Sequence, residues 1–421
     1  MISFEEAIRQ IRHIASAKPD LEVEILPLSE TQGRVLAQDL VSAENTPPFD
    51  NSAMDGFALC AENTLLASAE KPLRLPVRGI TAAGDSPVDK AATDGAWEIM
   101  TGAALPPGFD AIVRIEDVVV ERNSDRQALF IELRQPVKIK TYVRAAGEDF
   151  KVGSDIVKKG QRLGPQHILA LASLGFAQIP VFRKIRVAHI STGRELVPCD
   201  QTPQPGQIRN STGPFFRAAL QALGVDLIFS ETIPDDADQF RETVKNILSE
   251  KVDCILTTGA VSMGQFDFVA EEIQKLQAKV YFHKVAIQPG KPLLFAEFPS
   301  GTVLFGVPGN PVSGVVSLRF FIENYLRGLS RQAFEQPLRA RLAADASKAE
   351  ALRQFAKAQL VMSDEGSQIR VLPGQMSFMV KPLLQANAWA VLPEGRALTR
   401  AGEWVDIYPL YANFLNGDGS L

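Results

Sequence analysis

Cysteine is scarce in this sequence. Cys60, Cys199 and Cys254 are the three in 421 residues, far apart and without a C-x-x-C pair. This argues against a disulfide framework and a thiolate zinc site, and favours a reducing compartment. The four histidines, His13, His167, His189 and His283, are scattered and read as structural or surface residues. A basic excess is missing too: 44 Lys and Arg stand against 49 Asp and Glu, a net charge of -5, which argues against a general nucleic-acid binder. A local anion site remains open, because site charge and net charge are separate quantities. No apolar run approaches the ~18 residues of a membrane span. Glu5 and Glu6 spoil any basic signal-peptide region in the opening MISFEEAIRQ, so a soluble, cytoplasmic protein is expected. GxxxxGK[ST] and a post-strand GxGxxG are both absent, which argues against a P-loop nucleotide site and a dinucleotide enzyme. No Ser–His or Cys–His pairing stands out for covalent catalysis.

What is present suits a large folded chain. The length suggests about three domains, and 46% hydrophobic with 22% charged residues can bury several cores. Ser3 and Glu6 form a capping-box pattern before Phe4, Ile8, Ile11 and Ile14 at helical spacing. A short strand near 22–25 and a second helix near 28–40 are expected next. The stretch NTPPFDNSAMDGFAL (45–59) is a loop rich in apolar residues, which points to function. From 73 to 143, β-branched runs punctuated by Gly and Pro predict a small β-rich domain. Residues 144–164 read as a glycine-rich connection, and 165–175 as a helix with Pro165 at its start and Gly175 at its stop.

From about 180 the texture changes to alternating strands and helices. Strands at 185–192, 225–233, 252–260 and 302–307 alternate with helices at 210–224, 235–250 and 268–276 and after 311. This predicts a doubly wound α/β domain with a mostly parallel sheet. Beyond Pro337, short strands and turns predict a final β domain.

Ligands in such a sheet sit beyond the carboxyl ends of its strands. Four loops there carry compatible chemistry: STGREL with Glu195; PDD with Asp235 and Asp236; TGAVSMGQFD with Gly259, Ser262, Gly264 and Asp267; and PGNPVSG. Glycine, serine and threonine in tight loops bring N–H and hydroxyl donors close to phosphate. The carboxylates of Glu195, Asp235 and Asp267 suit Mg²⁺, which uses few protein carboxylates. Lys284 and Lys291 in FHKVAIQPGKPLLF offer positive charge for anions. Helix-start Asp235 and Asp236 can equally be caps, and TGAVSMG an ordinary turn. Within FGVPGNPVSG, Pro308 and Pro311 fix φ at two points, Gly309 permits close approach, and Asn310 is driven toward extended geometry. The result is a rigid shelf at a helix start, suited to an anion or a polar ring.

DNSAMDGFAL, IMTGAALPPGFDAIVRIED, RAAGED, STGREL, TGAVSMGQFDF, HKVAIQPGKPLLF and GVPGNPVSG follow the order and spacing of the molybdopterin molybdenumtransferases. The chain resembles that family, and the C-terminal part of gephyrin, well over residues 1–330 and more loosely beyond. The resemblance implies an enzyme of molybdenum cofactor biosynthesis that takes adenylylated molybdopterin and molybdate, releases AMP and depends on Mg²⁺. It implies an elongated homodimer whose chains have four parts: an extended helical linker domain (1–49 and 146–178), a small β-rich domain (50–145), the α/β molybdopterin-binding domain (179–330) and a C-terminal β domain (331–421). By motif, Glu195, Asp235 and Asp267 surround metal and phosphate, and Lys284 and Lys291 hold anions. Ser262, Gly259, Pro308, Gly309, Asn310 and Pro311 bind substrate, and Ser377 in GQMSFM matches a further position. Asp55 of MDGF and Thr101 of IMTGA reach in from the partner subunit. The molybdopterin adenylyltransferase is the implied protein partner. Because the dithiolene sulfurs belong to the substrate, no protein cysteine is required.

Three residues depart from the family pattern. Gln288 stands where a second lysine is common, Arg194 where an acid is usual, and Ala260 where glycine is usual. These departures leave open a tungstate-preferring paralogue and a non-catalytic pterin-binding scaffold. An unrelated phosphotransfer enzyme is a weaker third reading, for want of a P-loop or a kinase-type lysine–acid set.

Overall fold

Ser3 caps the first helix as its spacing predicts. Its Oγ accepts the Glu6 N–H at 3.1 Å, and the helix runs Phe4–Ala17. One face buries Ala7, Ile8, Ile11, Ile14 and Ala15, in a single apolar cluster with Tyr325, Leu326 and Leu329. Ala15 and Gly328 let this helix approach Glu323–Leu329 closely: a Cβ on Gly328 would lie 2.7 Å from that of Ala15.

The computed structural model describes residues 1–260, 268–363 and 366–411. The chain divides into two compact units. One comprises Met1–Gln38, Lys159–Pro165 and Gln178–Leu421; the other comprises Asp39–Lys158 and Gln166–Ala177.

At the heart of the first unit lies a six-stranded sheet. Its spatial order is Asp226–Ile233, Arg186–Thr192, Cys254–Thr258, Val303–Val307, Leu294–Glu297 and Lys279–His283. The first four strands are parallel, Leu294–Glu297 runs antiparallel to both of its neighbours, and the edge strand Lys279–His283 returns to the common direction. The expected α/β sheet is therefore present but mixed, because the chain around FHKVAIQPGKPLLF supplies its last two strands, of which Leu294–Glu297 is antiparallel to its neighbours. Side chains alternate between the faces. Val187, Leu256 and Phe305 pack with Phe216, Leu220 and Val316 on one side. Ala188, Ile255 and Leu304 pack with Phe240, Val244 and Ile273 on the other. Helices on both faces make the sheet doubly wound. The strand Val303–Val307 is wholly buried, and each large apolar side chain in it contributes about 1.5–3 kcal/mol by leaving water.

The C-terminal strands of the same unit close on themselves. Arg353–Ser363 pairs with both Gly366–Val371 and Ala388–Leu392, while Leu338–Leu342 and Trp404–Pro409 complete the ring. Closure removes the free strand edges of an open sheet.

The second unit holds a six-stranded sheet in the order Ala111–Arg114, Gly56–Leu59, Ala96–Ile99, Leu73–Thr81, Ala128–Leu133 and Val119–Arg122. Its core gathers Phe57, Leu59, Leu75, Val113, Ile131 and Leu133.

Two local expectations fail. No long helix forms over 28–40. A single 3-10 turn, Leu28–Glu30, gives way to Gly33 at φ +77°, and Val35 and Leu36 then form β-bridges to Arg162 and Val181. The stretch 144–164 is not all connection: Asp155–Val157 pairs with Leu40–Val41.

Candidate functional site

The register brings four strand ends to one edge of the mixed sheet. Thr192 lies opposite Ile233, Ser191 opposite Thr258, and Thr258 opposite Val307. The loops that leave those ends are bonded to each other. Gly193 donates its N–H to the Ile233 carbonyl at 3.4 Å, and Thr192 Oγ1 donates to the Thr258 carbonyl at 3.2 Å. Gly259 donates to the Val307 carbonyl at 3.1 Å. The described starts of the four segments singled out in the sequence thus converge.

Glycine is required where they meet. Gly259 sits at φ +96°, and a Cβ there would lie 2.5 Å from the Thr192 carbonyl oxygen. Gly309 packs beside it, where a Cβ would meet Gly259 Cα at 3.7 Å, an ordinary contact distance, so the steric demand for glycine rests on Gly259. The next residue, Ala260, is also left-handed at φ +51° and bears the steric cost that glycine avoids.

The acids divide by role. Asp236 is a helix cap: its Oδ1 accepts the Gln239 N–H at 2.7 Å at the start of Ala237–Ser249. Asp235 instead turns to the neighbouring loop, where its Oδ2 accepts the Arg194 N–H at 3.2 Å. Glu195 folds back over Gly193, with both carboxylate oxygens 2.9 Å from where a Cβ on Gly193 would stand. Asp267, with Ser262 and Gly264, lies outside the described residues. Among the described residues no three acidic, histidine or cysteine side chains form a metal-binding group. Glu195 and Asp235 are the two oxygen donors on adjacent loops, a donor set that fits a cation keeping several waters.

The PGNP turn takes the expected form. Asn310 is extended, at φ -63° and ψ 129°, and Pro311 opens the helix Pro311–Ser317. Pro308 is buried, whereas Gly309 and Asn310 are exposed. The expectation of open N–H groups on this shelf needs one correction: the Val312 N–H donates to the Ser377 carbonyl at 3.0 Å. The GQMSFM segment is therefore seated directly on the helix start. Beside it, the QPGKP turn lies against the same helix, for a Cβ on Gly290 would be 3.8 Å from Ser313 O and Ser317 Oγ. Lys284 and Lys291 flank the neck of that turn. The Lys284 N–H donates to the Leu293 carbonyl and the Val285 N–H to the Lys291 carbonyl, both at 2.9 Å. Gln288 pairs with Gln354 of the C-terminal barrel.

In the other unit, Asp55 and Thr101 form a built pair. Asp55 Oδ1 accepts from the Thr101 N–H at 2.7 Å and from Thr101 Oγ1 at 2.8 Å. The main-chain and then the hydroxyl bond of Thr101 hold the Asp55 carboxyl below its ordinary range.

Sequence reasoning missed two features. A cavity of about 400 Å³ opens beside the strand ends, lined among others by Ser191, Asn210, Arg217, Ser230 and Thr232. Asn210 organises it: Nδ2 donates to Thr232 Oγ1 at 2.9 Å, and Oδ1 accepts the Gly213 N–H at 2.8 Å. Its position one residue before a Ser–Thr helix start was the available signal. The second is Lys357, wholly buried inside the barrel strand. A lone lysine among Phe355, Ala356 and Ala358 was the visible anomaly.

Three family models match the chain in succession. They describe the MoeA N-terminal region (domain I and II) over residues 2–175, a probable molybdopterin binding domain over 188–328, and the MoeA C-terminal region (domain IV) over 339–410. The molybdopterin molybdenumtransferase of Synechococcus elongatus is 42% identical over 414 residues, covering 97% of this chain and 100% of that protein. The protein of the same name from Staphylococcus aureus is 33% identical over 409 residues, covering 96% and 95%. A crystal structure of the molybdopterin biosynthesis MoeA protein from Pyrococcus horikoshii superposes with a TM-score of 0.78 at 31% identity, covering 98% of this chain and 100% of that one.

Proposed function

Because the chain belongs to the MoeA family of molybdopterin molybdenumtransferases, we propose that it inserts molybdate into adenylylated molybdopterin, releasing AMP and leaving molybdenum on the dithiolene. The convergence of the Thr192, Ile233, Thr258 and Val307 strand ends carries this reading. It brings two carboxylates, a glycine cradle and the PGNP turn to one edge.

In this reading Gly259, Ser262, Pro308, Gly309, Asn310, Pro311 and Ser377 receive the substrate. The tight approach of Gly259 to the Thr192 carbonyl keeps a side chain out of the cradle there, so that a flat or anionic group reaches backbone. Lys284 and Lys291 offset the negative charge of molybdate and of the adenylate. Glu195, Asp235 and Asp267 would hold Mg²⁺. When bound, the ion would polarise the phosphoryl group and offset charge on the departing AMP. The substrate brings its own sulfurs, which agrees with three free cysteines of which Cys254 is wholly buried. Gln288, in place of a second lysine, lowers the positive charge at the oxyanion position and makes tungstate the alternative oxyanion to test.

The same reading takes the chain as a cytoplasmic homodimer of four-part subunits, with bounds 1–49 and 146–178, 50–145, 179–330 and 331–421. Asp55 and Thr101 then serve the reaction from a second copy. The molybdopterin adenylyltransferase, which makes the adenylylated substrate, is the natural protein partner. The test is to incubate purified protein with adenylylated molybdopterin, Mg²⁺ and molybdate and to measure AMP. Release that depends on molybdate and Mg²⁺ is expected; bound but unconsumed adenylate would overturn the assignment.

A further inference from the structure

Lys357 is 1% exposed, inside the strand Arg353–Ser363. Burying an ammonium is costly unless its donors are matched. Its partners are main-chain carbonyls: Nζ donates to Met376 O at 3.2 Å and to Met379 O at 3.0 Å. Those two carbonyls bracket a turn that is closed by the Met379 N–H donating to Met376 O at 3.1 Å. Ser377 sits inside that turn, and its own carbonyl accepts the Val312 N–H at the start of the Pro311–Ser317 helix. Gln375 adds a second tie. Its Oε1 accepts the Lys357 N–H, and its Nε2 donates to the Lys357 carbonyl, each at 2.9 Å.

A continuous set of bonds therefore runs from Lys357 through the Met376–Met379 turn to Ser377 and on to the PGNP helix. The turn needs such an anchor. Met376 and Phe378 are exposed, at 57% and 63%, so apolar burial does little to hold this segment. The ammonium grips it from beneath, where an apolar side chain of the same length would take this donor from the Met379 carbonyl and leave the Met376 carbonyl with the Met379 N–H alone of the two bonds described.

We propose that Lys357 is a positioning residue for the transferase reaction: its ammonium fixes the Met376–Met379 turn so that Ser377 is held against the start of the Pro311–Ser317 helix, at the substrate-binding edge. The inference rests on the function proposed above, and it concerns Ser377 alone among the site residues. Burial also pushes the Lys357 ammonium down to about 8, through desolvation.

The test is a double-mutant cycle read by AMP release from the full-length protein. Lys357→Met and Lys357→Arg are each made alone and together with Ser377→Ala. Lys357→Met alone is expected to lower kcat/KM by about tenfold or more, the scale of loss that misplacing a binding group produces. In the Ser377→Ala background the same change is expected to cost no more than about twofold, because the hydroxyl that the turn presents to substrate is already gone, while the Ser377 carbonyl keeps its bond to the Val312 N–H. Lys357→Arg keeps the donors and should recover most of the activity. Equal losses in both backgrounds, or wild-type kinetics for Lys357→Met, would overturn the proposal. Should Lys357→Met fail to fold by circular dichroism, Lys357→Gln, too short to reach both carbonyls and without the charge, takes its place in the cycle. Its loss must vanish with Ser377→Ala, and an additive loss or wild-type kinetics counts against positioning. Wild-type AMP release reports separately on the function itself, so failure of that reading and failure of this one are told apart.

Discussion

The main-chain N–H of Arg194 donates to Asp235 Oδ2 at 3.2 Å, joining the loops that leave two neighbouring parallel strands. The bond uses one carboxylate oxygen for structure and ties Asp235 to the loop that also carries Glu195. It follows that charge and geometry at Asp235 can be separated. Asp235→Asn keeps an acceptor for the Arg194 N–H but removes the negative charge. We expect a melting temperature close to wild type, together with at least a tenfold fall in AMP release and a higher Mg²⁺ requirement, in line with loss of a charged metal ligand (about 1–3 kcal/mol). Unchanged Mg²⁺ dependence in a magnesium titration would remove Asp235 from the metal site.

Gly259 and Ala260 are neighbours with opposite expectations. Gly259→Ala places a Cβ 2.5 Å from the Thr192 carbonyl oxygen at a left-handed φ, and should destabilise by more than about 2 kcal/mol. Ala260→Gly relieves a residue at φ +51° and should stabilise by about 0.5–1 kcal/mol. Urea unfolding measures both, and a stable Gly259→Ala protein would show that the cradle is not sterically closed.

His189 gives the fold a pH dependence. The ring is 1% exposed and stacked on Phe216 with centroids 5.0 Å apart, and Nδ1 has no hydrogen-bond partner among the described residues. Burial, aided by the nearby Arg217 charge, pushes it from 6.5 down to about 4. The unfolded chain therefore binds a proton between these values that the folded one refuses. The contribution is complete above about pH 6.5 and is lost as pH falls to about 4, on the order of 3 kcal/mol. His189→Phe should flatten the stability profile across that window, as followed by chemical denaturation at several pH values. An unaltered slope would assign the window to other groups.

A site completed by a second copy predicts complementation. Asp55→Ala and Asp267→Ala are each expected to be inactive, while mixed dimers of the two should recover up to about half of wild-type activity per mixed dimer, because one of their two sites carries neither change. Confirmed mixed dimers without recovery would place both residues in one subunit's site.

Local chemistry accounts for what was legible in the sequence. The Ser3 cap, the Asp236 cap, the extended Asn310 before Pro311 and the strand ends at Thr192 and Val307 all follow from neighbours in the chain, whereas the strand expected over 252–260 stops at Thr258. What escaped depends on distant partners. The apolar residues over 28–40 suit a helix by spacing, but Gly33 breaks it and Val181 captures Leu36. The Ser377 carbonyl reaches Val312 across 65 positions (377 minus 312), and no spacing rule reveals such a bond. Lys357 is typed by sequence as a surface residue; only closure of the barrel buries it. The antiparallel strand Leu294–Glu297 was hidden for a similar reason, since it pairs on both sides with segments that the QPGKP turn and the sheet bring to it.

The most direct test of the central claim is a crystal of the protein soaked with AMP, Mg²⁺ and molybdate, with anomalous data collected at the molybdenum edge. The account predicts the AMP phosphate at the Gly259 and Asn310 turns, with the metal between Glu195 and Asp235, and the molybdenum peak within reach of Lys291 and Ser377. Nucleotide and molybdenum bound elsewhere, with this sheet edge empty, would contradict it.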